Sequence, residues 1–114
     1  MKTILYHNPR CSKSREALQL LEDSNEDFQV IPYLTDTPTK SELKQILKML
    51  QIRPIELVRT KEVIWKEHYT DENMSDEAII QAMLDHPRLI ERPILVKNNK
   101  AAIGRPIEAI KEIL

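Results

Sequence analysis

The chain is poor in the residues that carry several common kinds of chemistry. Its 114 residues include one cysteine, one glycine, one tryptophan, one phenylalanine and three histidines. The single thiol, Cys11, cannot close an internal disulfide. Joined only by His7, His68 and His86, it also lacks the ligand pairs of a structural zinc site, so no metal is expected. The single glycine, Gly104, cannot build a glycine-rich phosphate loop, which argues against a nucleotide site. Turns must then rest on Pro, Asn, Asp and Ser. No stretch approaches the roughly 20 apolar residues of a membrane-spanning helix, and the opening "MKTILYHNPR" is too short an apolar run for a signal peptide. A cytoplasmic protein without membrane contact is expected. A formal net charge of -1 argues against binding nucleic acid through phosphate contacts. Repeats, low-complexity tracts and Gly/Ser linkers are absent, so one compact domain over residues 1–114, acting as a monomer, is expected.

What is present is ordered along the chain. "TILY" is a short apolar run ending at "HNP", and beyond Cys11 the residues Ala17, Leu18, Leu20 and Leu21 recur at helical spacing up to "SNED". "FQVIPYL" is β-rich, with Pro32 suiting a strand end or edge. "TKSE" reads as a capping box from Thr39 to Glu42 that opens a helix with Leu43, Ile46, Leu47 and Leu50 on one face. "RPIELVRT" predicts a helical turn near Pro54, and "SDEAIIQAMLDHP" a helix capped by Ser75 or Asp76 and stopped by Pro87. "PILVK" and "KAAI" predict two strands joined at Asn98 and Asn99, residues that tolerate the positive φ of a tight hairpin. The last segment predicts a helix with Pro106 at its first position and Ile107, Ile110, Ile113 and Leu114 on its apolar face. The order β-α-β, helical block, β-β-α is that of an α/β, thioredoxin-like fold with a mixed four-stranded sheet and a helical insertion at about 39–87.

On this map Cys11 falls at the first turn of a helix, where unpaired N–H groups and the positive end of the macrodipole favour an anion. Residues 1–20 carry Lys2, Arg10, Lys13 and Arg15 against Glu16 alone, a local net charge of +3 that leaves -4 for the rest. A lowered thiol pKa is expected from the helix start and the neighbouring cations, against the commoner fate of a lone buried cysteine as packing. Position 17 is alanine, not the arginine of a phosphatase loop, and position 14 is serine, not the second thiol of a dithiol oxidoreductase. Any redox cycle must use thiols from outside the chain. Trp65, Tyr69, His68 and His86 read as packing or capping residues, with His86 at a helix end.

"HNPRCSKSR" resembles the active-site signature of the glutaredoxin-coupled arsenate reductases: His-Asn-Pro, any residue, Cys, two residues, Ser-Arg. The likeness continues in "PYLTDTPTKSEL", "LVRTKE", "HPRLIERPILV" and "GRPIEAI". It implies that Arg59, Arg92 and Arg105 bind an oxyanion, for which planar guanidinium groups are suited because they donate paired hydrogen bonds and stay charged. Arg92 and Arg105 each precede a proline, which biases them to extended backbone. The fold resemblance also implies a cis peptide bond before Pro93, facing the cysteine.

The implied activity is reduction of arsenate to arsenite. Cys11 attacks arsenic, glutathione adds to the enzyme-bound arsenic as a co-substrate, and a glutaredoxin thiol completes the reduction, with no bound cofactor. His7 is a candidate for tuning the thiolate or passing protons, Ser14 for hydrogen-bonding it, and Asn8 and Arg15 for shaping the loop. Two other readings share parts of the pattern. Spx-type regulators have this fold and bind RNA polymerase, and a glutathione-dependent thiol oxidoreductase would use Cys11 without three arginines. The single thiol of "CSKS" and the complete arginine set favour the reductase.

Overall fold

The computed structural model describes residues 3–69 and 73–114, which form two compact units. The first comprises residues 3–36 with Arg92–Leu114, and the second Thr37–Glu91, slightly wider than the helical segment expected at about 39–87.

The first unit holds the sheet. Strands β1 (Thr3–Tyr6), β2 (Phe28–Ile31), β3 (Ile94–Lys97) and β4 (Lys100–Ile103) lie in the order β2-β1-β3-β4. β1 pairs parallel with β2 and antiparallel with β3, and β3 pairs antiparallel with β4, so the sheet is mixed and four-stranded, as the element order predicts. The Asn98–Asn99 turn has φ of 52° and 62°, the left-handed geometry a two-residue hairpin requires. Leu5, Leu95 and Ala102 share one row across three strands, and Ala17 and Leu21 of helix α1 (Ser12–Asp23) and Ile110 of helix α6 (Glu108–Lys111) join them in one buried cluster. A fully buried Leu or Ile contributes about 1.5–3 kcal/mol. An exposed pair such as Lys13–Glu16 at 3.9 Å is worth less than about 1 kcal/mol, so this cluster, not surface charge, holds the helices to the sheet.

The final helix is shorter than its sequence suggests. Pro106 does not occupy its first position: α6 begins at Glu108, and Pro106 stands before it, its carbonyl accepting the Ala109 N–H at 3.1 Å. Residues 104–107 are spent on a turn, in which the Arg105 N–H returns to the Ile103 carbonyl at 2.8 Å, and the first helical acceptors are the Pro106 and Ile107 carbonyls.

The second unit is helical: α2 (Lys40–Leu50), α3 (Pro54–Leu57), α4 (Val63–His68), α5 (Asp76–Asp85) and a 3₁₀ turn at Pro87–Leu89. Thr39 and Glu42 form the expected capping box, with Glu42 N–H donating to Thr39 Oγ1 at 3.1 Å and Thr39 N–H to Glu42 Oε1 at 2.9 Å. α2 ends at Gln51, in left-handed geometry with φ 59°, where glycine is the usual occupant. Lys40 and Lys44 of α2 grip Glu77 of α5 at 2.8 and 2.7 Å, and their hydrogen bonds hold its carboxyl down to about 2. No helix among the described residues is long and apolar enough to cross a membrane.

Candidate active site

The loop between β1 and α1 is tied at every turn. The His7 N–H donates to the Ile31 carbonyl at 2.9 Å and extends the parallel ladder one residue past β1. Asn8 then turns the chain: its side-chain oxygen accepts the Arg10 N–H at 3.0 Å and its carbonyl the Cys11 N–H at 3.0 Å. Arg15 reaches back from α1 and donates Nη1 to the Pro9 carbonyl at 2.9 Å. These bonds deliver Cys11 to the N-cap of α1 in extended geometry, φ -97° and ψ 124°.

Beneath the loop, Ser14 is fully buried, and its hydroxyl accepts the Asn8 N–H at 2.9 Å and meets His7 Nδ1 at 2.6 Å. Burial holds His7 below its ordinary pKa, the Arg15 charge adds to this, and a backbone hydrogen bond at Ser14 only partly offsets them. With its proton on Nε2, the neutral ring would accept the Ser14 hydroxyl proton at Nδ1; in the other tautomer Nδ1–H would donate to that hydroxyl. The Ser14 hydroxyl is therefore engaged by His7 and Asn8, and it is the Ser14 backbone N–H that acts on the cysteine.

Cys11 is 7% exposed, and burial alone would raise its pKa. The net shift is nevertheless downward, through the Ser14 N–H, the Arg92 charge, the Lys13 N–H and the Arg105 charge, in that order. The two amides act as nearby dipoles at the helix start, since the sulfur closes no cap hydrogen bond of full geometry with them. The cations responsible are not the sequence neighbours. Arg15 is turned to Pro9, and Lys13 pairs with Glu16 and acts on the sulfur only through its backbone.

Arg92 and Arg105 come from the flanks of the β3–β4 hairpin. Ile94 pairs with Ile103, so continuing that register outward sets Pro93 opposite Gly104 and Arg92 opposite Arg105. The Gly104 N–H donates to the Pro93 carbonyl at 2.9 Å, and Arg105 Nε donates to the Arg92 carbonyl at 2.8 Å. The same guanidinium extends Nη2 to Cys11 Sγ at 3.2 Å. The Arg92–Pro93 peptide bond is cis, as is Arg105–Pro106. Cys11, His7, Asn8, Ser14, Arg15, Arg92, Pro93 and Arg105 thus all lie in the first unit. Gly104 also belongs to this arrangement, a role beyond the one its sequence position suggests. A lone glycine directly before an Arg-Pro pair was the available signal.

Arg59 belongs to the second unit. Its N–H donates to the Leu89 carbonyl at 2.7 Å beside the Val58–Ile90 bridge. Its guanidinium lies 3.3 Å from Glu62 and 3.8 Å from Glu91, and Arg88 approaches Glu62 at 3.8 Å. In the same unit Trp65 stacks on Tyr69 with ring centroids 5.3 Å apart, and His86, the C-cap of α5, meets Tyr69 edge-on at 6.0 Å. No group of three or more metal-ligating side chains occurs among the described residues.

Chemically, the first-unit arrangement is a thiol of lowered pKa beside fixed donors, suited to attack on an electrophile that carries negative charge. The model of the ArsC family matches residues 6–113. An uncharacterised protein, YfgD, of Escherichia coli (strain K12) is 48% identical over 112 residues, spanning 96% of this chain and 94% of that one. An arsenate reductase of Neisseria meningitidis serogroup A is 45% identical over 112 residues, 96% of each chain. The solved structure of an arsenate reductase from Vibrio cholerae superposes with a TM-score of 0.94 at 46% identity, covering 100% of this chain and 98% of that one.

Proposed function

The chain belongs to the ArsC family, and from that premise we propose that it reduces arsenate to arsenite, with Cys11 as nucleophile and glutathione and a glutaredoxin as external thiols. The observation that carries this reading is the N–H···S contact of 3.2 Å between Arg105 and Cys11, made by a guanidinium that also acts electrostatically with Arg92 on the thiol. Donors that stabilise a thiolate are equally matched to the oxygens of a tetrahedral oxyanion brought beside it. Arg59 is proposed as a third oxyanion ligand on the resemblance alone.

The Cys11 thiolate attacks arsenic, an S–As bond forms, and one As–O bond breaks to release water after proton uptake. Glutathione displaces a second oxygen as water and forms a second S–As bond. A glutaredoxin thiolate then attacks the glutathione sulfur. The new S–S bond takes up that sulfur while the As–S electron pair stays on arsenic, which passes from As(V) to As(III). Hydrolysis of the remaining S–As bond frees arsenite and restores Cys11. Two external thiols become one disulfide, which matches a chain whose only thiol begins and ends reduced. Dependence on glutathione implies a reducing compartment such as the cytoplasm.

The test is arsenate-dependent NADPH oxidation, coupled through glutathione, glutathione reductase and glutaredoxin. Turnover is expected for the wild type and is abolished by Cys11→Ser. No arsenate-dependent rate across several glutaredoxins refutes the proposal.

A further inference from the structure

Gly104 is the one glycine in the chain, and its φ is not positive, so backbone freedom does not explain it. Space does. A methyl group at position 104 would lie 2.6 Å from Ile110 Cδ1, 2.8 Å from Pro93 Cγ and 3.3 Å from Pro93 Cδ. Neither neighbour can yield freely, because Ile110 and Pro93 are both fully buried and one of them is a ring. The contact lies between two dipeptides, Arg92–Pro93 and Gly104–Arg105, already linked by the Gly104 N–H to the Pro93 carbonyl and by Arg105 Nε to the Arg92 carbonyl.

We propose that Gly104 is a positioning residue for Cys11: the bare Cα lets the two dipeptides close on each other, and that closure sets the reach of the Arg105 guanidinium to the sulfur. The proposal rests on the reading of Cys11 as the nucleophile. Packing alone accounts for a small residue at 104; the closeness it permits additionally controls where Arg105 reaches. Arg105 follows Gly104 directly and is anchored at one end to the Arg92 carbonyl, one bond from the Pro93 nitrogen. Driving the Pro93 ring and Gly104 apart by several tenths of an ångström lengthens or misdirects the Arg105 bonds at both ends, and hydrogen bonds weaken steeply with such changes. The thiolate then loses a donor while the sheet and the N-cap of α1 remain in place.

The full chain carrying Gly104→Ala, alone and with Ile110→Val, is compared with wild type in two measurements. These are the melting temperature and the pH midpoint of Cys11 alkylation by iodoacetamide. Ile110→Val removes the atom nearest the new methyl, and the two substitutions together nearly conserve volume, so the double variant carries the test even where the single one folds poorly. Leu21→Val, which loosens the same cluster from its α1 side, is the control. Gly104→Ala is expected to raise the midpoint by about half a pH unit or more, about a threefold loss of thiolate on the acid side. The double variant recovers melting temperature but not the midpoint, because the methyl still meets Pro93 Cγ. Leu21→Val lowers the melting temperature and leaves the midpoint alone. A wild-type midpoint in both Gly104 variants, or an equal rise in Leu21→Val, overturns the proposal. Alkylation needs no arsenate, so a wild type that fails the coupled assay refutes the arsenate reading without touching this one.

Discussion

Replacing Arg105 with alanine tests the electrostatics of the cysteine most directly, because it removes a donor that reaches the sulfur itself. Arg105 Nη2 stands 3.2 Å from Cys11 Sγ, and Nε is held by the Arg92 carbonyl at 2.8 Å, so the guanidinium is aimed at the sulfur before any substrate arrives. A charge-assisted hydrogen bond is worth about 1.5–3 kcal/mol, but Arg105 is exposed and solvent screens part of that. A retained contribution of about 1 kcal/mol corresponds to somewhat less than one pKa unit. Arg105→Ala should therefore raise the alkylation midpoint by roughly half to one pH unit. Arg92→Ala should raise it further, since Arg92 acts more strongly on the thiol than Arg105 does. Arg105→Lys should fall between wild type and alanine, because an ammonium keeps the charge but cannot bridge carbonyl and sulfur with one planar fork. The assay is the pH profile of alkylation by iodoacetamide, a neutral reagent that the local charge does not steer. A midpoint in Arg105→Ala equal to that of wild type, or a wild-type midpoint no lower than that of free cysteine, about 8.5, refutes the reasoning.

His7 is buried with a lowered pKa, so its contribution to stability is complete above the unfolded value of 6.5 and is lost as the pH falls toward the lower folded value. In a Cys11→Ser background, which removes the parallel effect of the thiol, the urea midpoint of His7→Gln should depend less on pH between 7 and 5 than that of its parent; an unchanged slope would contradict this. Gln51→Gly should raise stability by about 0.5–1 kcal/mol in urea titration, because relief of the left-handed strain at φ 59° exceeds the entropy that glycine adds to the unfolded chain. A loss of stability there would show that the exposed Gln51 side chain makes a contribution of its own.

Much of the fold was legible because its signals are local. The capping box at Thr39 and Glu42, the Asn98–Asn99 turn and the strand-end proline at position 32 are each decided within a few residues, and each is found where its residue types place it. The charge around Cys11 was not legible in the same way. Arg10, Lys13 and Arg15 were the obvious cations, yet the direction of a side chain leaving the first turn of a helix depends on which acceptors lie nearby. For Arg15 the acceptor is the Pro9 carbonyl, and for Lys13 it is Glu16. The start of α6 failed for a related reason: a proline two residues before a helix looks locally like a proline inside it, and only the turn that returns the Arg105 N–H to Ile103 tells them apart.

The arginines that do act on the sulfur are placed by register. In the β3–β4 hairpin the paired positions descend from Lys97–Lys100 at the turn to Ile94–Ile103 at the far end, a spacing fixed by the two-residue turn. Continued outward, that spacing brings Pro93 to Gly104 and Arg92 to Arg105, which is where the bonds of 2.9 and 2.8 Å are found. A one-residue slip would set Arg105 against Pro93 and remove both bonds at once. It would also turn the Leu95 and Ala102 row off the buried face, so the core that stabilises the sheet also enforces the pairing that aims the guanidinium. The electrostatics of Cys11 are in this sense written in the hairpin, some 80 positions from the cysteine in sequence and invisible to any reading confined to the loop that contains it.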